Sequence, residues 1–150
     1  MEGAAPGGWE RLDRVLDALA GAYERRDLEA LGALIHPQGQ LVTRAHGGMI
    51  VSGRAAWIDH VRRLDRTSYD VRLLRRHHLD EGAAAEESML RYPLEGGGFA
   101  DGPMTWLLEI EDEQLWRATP FRTLEEAADA RRARLADRSP IPEESARDST

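Results

Sequence analysis

The 150-residue chain contains no cysteine, no lysine and no asparagine, and all 20 of its basic residues are arginine. Without cysteine there is no thiolate nucleophile, no disulfide framework and no cysteine-ligated zinc or iron–sulfur centre. Without lysine there is no Schiff base and no P-loop lysine, and without asparagine there is no N-glycosylation site. Aromatic residues make up only 6% of the chain. No stretch approaches the roughly 20 apolar residues that cross a bilayer, and residues 1–8 lack the positive region and apolar run of a secretory signal. A cytoplasmic protein with no membrane association is therefore expected. The net charge of -7 opposes binding driven by counterion release from phosphates, so nucleic acid is not expected as a partner.

What is present is enough for one ordinary domain with its own core. Trp9, Leu12, Leu16, Leu19, Ala20 and Tyr23 recur at three- and four-residue spacing, which predicts an amphipathic helix over residues 9–26. Asp27 is placed to cap a second helix over residues 28–35, ended by His36-Pro37. Residues 40–44 and 49–51 read as a small hairpin around Ala45-His46-Gly47-Gly48. Ser52 is the expected N-cap of a third helix reaching Leu64, with Trp57, Ile58, Val61 and Leu64 on one face and His60 at its border. The period then changes to two, predicting strands over residues 68–79, 83–94, 103–110 and 114–121. Thr123 and Glu126 form a capping-box pair that opens a charged, alanine-rich helix to about Asp137. Residues 1–8 are expected to be a flexible N-terminus and 139–150 a disordered tail, since neither offers enough apolar surface to offset ordering entropy.

Several segments, in this order, carry a resemblance to a known family: Asp27-Leu28-Glu29-Ala30-Leu31, Leu34-Ile35-His36-Pro37, Ser52-Gly53-Arg54-Ala55-Ala56-Trp57 and Leu115-Trp116-Arg117. Residues 9–123 resemble the SnoaL-like and NTF2-like superfamily. The resemblance implies an α+β cone, in which a curved antiparallel sheet packs against N-terminal helices around a pocket, here with an added C-terminal helix over 124–138. It implies a small apolar metabolite as ligand and a homodimer. Members include isomerases, dehydratases and cyclases as well as non-catalytic binding and assembly domains, so the fold does not by itself choose among them. The carboxylate that steroid-isomerase-like members place late in the first strand has no counterpart in Leu41-Val42-Thr43-Arg44. The closing segment keeps Arg117 and an aromatic residue but lacks a terminal acid.

Candidate site residues follow from which faces a helix packed over a curved sheet brings together. The expected reactive set is His60 on the third helix, Tyr23 on the first, and Glu87 or Arg91 on the second long strand. Histidine would transfer protons, and tyrosine or arginine would steady an oxyanion. Glu86 and Glu87 alternate, so only one of them faces inward, and the pattern does not say which. Trp57, Met89, Trp106, Arg117 and Phe121 are the expected ligand-contacting residues. The competing expectation is that Tyr23 and the apolar strand faces fill a solid core, with the sheet and last helix serving as a protein-binding surface. The five histidines have no ligand-spacing motif, and His77 and His78 must point to opposite faces of their strand, so neither a metal nor another cofactor is expected. Residues 54–76 carry a local charge of +4, which could attract phosphate or carboxylate ligands.

Overall fold

The computed structural model of the chain describes residues 6–43, 49–63 and 70–138. Helix α1 (Pro6–Arg25) is followed by α2 (Leu28–Ala33), strands β1 (Ile35–Val42) and β2 (Ile50–Ser52), and helix α3 (Arg54–Arg63). Four long strands then form a meander: β3 (Asp70–Asp80), β4 (Ala83–Pro93), β5 (Phe99–Glu111) and β6 (Gln114–Phe121). Helix α4 (Leu124–Arg138) closes the described chain. The segment expected between β1 and β2, Leu64 at the end of the third helix, and the expected flexible start (1–5) and tail (139–150) lie outside the described residues.

Local chemistry explains the element boundaries. Arg26 takes a left-handed φ of 57°, and Asp27 N donates to Ala22 O, which ends α1 one residue earlier than the apolar period suggests. The Asp27 carboxylate accepts from Ala30 N at 3.1 Å and so caps α2, as expected. That helix stops at Ala33, because Ile35, His36 and Pro37 belong to β1. The register of β1 against β6 shifts between Ile35 and Gln40. At this irregularity the backbone comes so close to β6 that a Cβ on Gly39 would lie 3.2 Å from Leu115 O. Ser52 is not the cap of α3. It pairs with Gln40 in β2, and Gly53, at φ 96°, supplies the carbonyl that accepts from Trp57 N. Asp112 and Glu113, both at positive φ, make the two-residue β5–β6 turn with the handedness that a twisted hairpin favours.

The sheet order is β2-β1-β6-β5-β4-β3. It is mixed, not wholly antiparallel as expected: β1 runs parallel to β6, with Leu41 beside Ala118. The meander reverses three times before its last strand reaches β1, and β6 arrives running in the same direction. One face of the sheet packs on α1, α2 and α3, where Leu12, Leu16, Leu19, Leu31, Ile35, Trp57 and Val61 share one core with Ala84 and Ala118. The other face holds a smaller core in which Ala83, Ala85 and Leu107 meet Ala127 of α4. The last helix therefore docks on the sheet of its own chain.

An ion network fixes α4 there. The Arg131 guanidinium, 5% exposed, donates through Nε and Nη2 to both Asp80 oxygens at 2.8 and 2.9 Å, and through Nη1 to Glu109 Oε2 at 2.9 Å. Arg134 bonds the other Glu109 oxygen. Planar bidentate pairing of this kind suits arginine and not an ammonium group.

Candidate functional site

Between α1, α3 and the inner face of the sheet lies a cavity of about 600 Å³. Helix α1 presents Leu16, Leu19 and Tyr23 to it, three residues of one stripe, while the exposed Ala20 and Glu24 stand where it meets solvent. Helix α3 contributes Trp57, His60 and Val61, and the sheet contributes Glu86 and Ser88 of β4, Trp106 and Leu108 of β5, and Leu115 and Ala118 of β6. Val71 and Leu73 with Asp70 and Arg72, at the start of β3, add to the wall, as do Leu31 of α2 and Ile35 and Leu41 of β1. The space is thus mostly apolar with a few polar groups, the composition typical of ligand pockets of about 300–1,000 Å³. It joins Tyr23, His60, Trp57 and Trp106, four of the residues singled out from the sequence.

Other members of that set lie elsewhere, and strand parity is the reason. Glu86, not Glu87, faces the cavity. Glu87 points to the opposite side of the sheet, where its carboxylate is 2.9 Å from His77 Nε2. Met89 and Arg91 share that outer side, and Arg91 Nε donates to Asp101 at 3.1 Å on the surface. Phe121 packs with the core beneath α4. Arg117 sits opposite Glu109 in the β5–β6 ladder with its guanidinium 5.1 Å from the Trp116 ring. None of these five residues lines the cavity.

Glu86 is the polar group that sequence reasoning left undecided. A register shift in β3 between Leu73 and Arg75 inverts the alternation there, so that Arg76 lies directly opposite Glu86 and shares its inward direction. Arg76 Nε donates to Glu86 Oε2 at 2.8 Å, and Nη1 reaches Asp13 at 3.0 Å and Asp17 at 2.9 Å on α1. One guanidinium is therefore shared by three carboxylates. Burial pushes the Glu86 carboxyl above its usual range, and the Arg76 contact offsets only part of that. Asp13 also accepts from His78 Nε2 at 2.7 Å if that nitrogen carries the proton, and Trp9 packs edge-on against the His78 ring. The His78 and Arg76 contacts outweigh burial and hold Asp13 below its ordinary value. His77 and His78 do point to opposite faces, as their adjacency requires.

His60 is partly buried at the α3 wall. Burial, reinforced by the charge of Arg63, lowers its pKa and favours the neutral imidazole, the form able to accept a proton. Just beyond α1, the Arg26 guanidinium lies 5.2 Å from the centre of the Tyr23 ring while Nη1 donates to Val61 O at 3.3 Å, which ties the end of α1 to α3.

Within the basic stretch over 54–76, four of the described arginines are already engaged. Arg62 and Arg63 pair with Asp59, Arg54 donates to Ile35 O at 2.8 Å, and Arg76 is held by carboxylates. Arg66 lies outside the described residues.

No protein-family model and no curated protein sequence matches the chain. Solved structures do match. A candidate polyketide cyclase from Xanthomonas campestris superposes with a TM-score of 0.62 at 21% identity, over 79% of this chain and 95% of its own. An NTF2-like protein of unknown function from Burkholderia pseudomallei gives 0.61 at 16% identity, over 77% and 93%. A Mycobacterium tuberculosis protein solved with estradiol-17β-hemisuccinate gives 0.59 at 12% identity, over 74% and 92%.

Proposed function

The fold is that of the SnoaL-like and NTF2-like superfamily, and on it we propose that the chain binds a small, largely apolar metabolite inside the cone and handles its polar end by acid–base chemistry. The observation that carries this reading is the cavity of about 600 Å³ that brings Tyr23, His60 and Trp106 to one space. The alternative, a non-catalytic accessory or assembly domain, calls instead for a filled interior. A steroid ester bound by one structural neighbour and the cyclase description of another support an apolar ligand and an isomerase-, dehydratase- or cyclase-type reaction.

In this reading the apolar wall, Leu16, Leu19, Leu108 and the rings of Trp57 and Trp106, removes the ligand body from water. Neutral His60 takes a proton from carbon or oxygen, and the Tyr23 hydroxyl donates to the oxygen on which charge develops. Glu86 replaces Glu87 as the carboxylate of the set. A homodimer also belongs to this proposal: Tyr92, Leu94 and Phe99 stand exposed around the β4–β5 turn and offer apolar surface to a second copy. Sedimentation of the purified protein checks that part.

Native mass spectrometry of protein purified from its own host, followed by identification of any retained compound, tests the central claim. The expected result is a stoichiometric apolar compound. If the protein converts it, His60→Gln and Tyr23→Phe should each lower kcat by about 10²-fold or more, the usual scale of a positioned proton-transfer or oxyanion group. Turnover undiminished in both variants would remove these residues from the chemistry.

A further inference from the structure

The described walls of the cavity carry three carboxylates, Glu24, Asp70 and Glu86, against a single guanidinium, Arg72. Behind the wall, Arg76 is not a free counter-charge for a ligand, because Glu86, Asp13 and Asp17 already share it. His60, on the opposite wall, leans to its uncharged form. By formal charge the described lining is therefore net negative, the reverse of what the arginine-rich stretch over 54–76 suggests when read as sequence.

This charge has a definite partner surface. Glu86 and Trp106 are direct cross-strand neighbours in the β4–β5 ladder, and both face the cavity. Side chains so paired stand about 5 Å apart at Cβ, so a carboxylate and an indole ring border the same small volume. An ammonium group gains from both at once, by ion pairing with the carboxylate and by attraction to the aromatic face, and it gains more where water is excluded. A ligand carboxylate or phosphate would meet like charge there.

We propose that the cavity selects an apolar ligand bearing a protonated amine, its nitrogen seated between the Glu86 carboxylate and the Trp106 ring. The inference rests on the reading of the cavity as a small-molecule site and adds the chemical class of the ligand's polar end. Glu86 is then the residue that determines specificity by charge, while Leu16, Leu19 and Trp57 hold the hydrocarbon body whatever its head group.

Three probes of nearly equal size test it: 2-phenylethylammonium, 2-phenylethanol and 3-phenylpropionate, titrated at pH 7 and low salt by calorimetry and by quenching of tryptophan fluorescence. The full chain should bind the amine roughly tenfold more tightly than the alcohol, and the acid least of all. Glu86→Gln, which keeps a hydrogen-bond acceptor for Arg76, should bring amine and alcohol to within about twofold of each other. Equal binding of amine and alcohol by the unaltered protein, or a preference for the acid, would overturn the amine assignment and leave the cavity reading intact. No binding of any probe at millimolar concentration would overturn both. The comparison within the unaltered protein decides the matter even if the Glu86 variant does not fold.

Discussion

Replacing Arg131 by methionine isolates what holds α4 against the sheet. The methionine keeps most of the aliphatic stem and removes three charge-assisted bonds, two to Asp80 and one to Glu109. Breaking a buried ion pair from one side typically costs about 3–5 kcal/mol, because the partner is left charged in a poor solvent. Here the lower end applies. Glu109, only 1% exposed, retains Arg134, and Asp80 retains the Gly82 N–H at 2.7 Å and some access to water. A loss of about 3 kcal/mol is a large share of the 5–15 kcal/mol that separates folded from unfolded domains. With a urea slope of about 2 kcal/mol/M, the unfolding midpoint should fall by about 1.5 M. Adding Asp80→Asn to the same chain should recover part of that loss, since the carboxylate left without its guanidinium is then no longer charged while an acceptor for Gly82 N remains. Acid titration gives a second readout. Burial pushes the Asp80 carboxyl up, but the Arg131 and Gly82 contacts outweigh it and hold its pKa below 3.8. That group contributes stability which is present above about 3.8 and is lost as pH falls through its folded value, so Arg131→Met should have the shallower acid limb. A midpoint shift under 0.5 M, or a double variant no more stable than the single one, would refute this account of α4.

The remaining predictions concern the cavity and the helix ends. His60 has a folded pKa below its ordinary 6.5, so the unfolded chain binds the proton more tightly. Stability should decline as pH drops below 6.5, and a urea series from pH 8 to 5 should show a smaller decline in His60→Gln. Ala20→Phe places a ring at the exposed mouth of the cavity. Ligand affinity should fall about tenfold or more, while the unfolding free energy changes by no more than the roughly ±0.5 kcal/mol typical of surface changes. Asp27→Ala removes the acceptor for Ala30 N and should cost about 1 kcal/mol by chemical denaturation, whereas Asp27→Asn should cost much less.

Much of the architecture was legible because it rests on local periodicity. The stripe through Leu12, Leu16 and Leu19, the Asp27 cap, the period-two runs and the Thr123 hydroxyl accepting from Glu126 N at 3.1 Å are all short-range features. The errors fall where a long-range contact overrides a local preference. His36-Pro37 reads as a helix terminator, but these residues continue as β1 because β6 is beside them. Ser52 is a good cap in isolation, but the β1–β2 ladder takes it. The β1–β6 pair is parallel because the path of the whole chain sets it. At the cavity, the helical residues Tyr23, Trp57 and His60 share the wall that their spacing predicts, since a helix face follows from spacing alone. The strand residues Glu87, Met89 and Arg91 were placed on the wrong face, since in a strand a shift of one residue exchanges inside and outside.

The sequence by itself determined which chemistry is available. Lacking cysteine and lysine, the chain has histidine, tyrosine, arginine and carboxylates to work with, and their order along amphipathic segments defines the helices and strands that carry them. Only the tertiary structure decided which of these groups meet. The register shift in β3 turns Arg76 inward, the β3–β4 pairing sets it against Glu86, and the packing of α1 adds Asp13 and Asp17. A stretch that is basic in sequence therefore borders a cavity whose described lining carries more carboxylates than guanidinium groups. Charge is a property of residues, but the field in a cavity depends on which residues a fold brings within a few ångströms of it, across separations along the chain that no local pattern records.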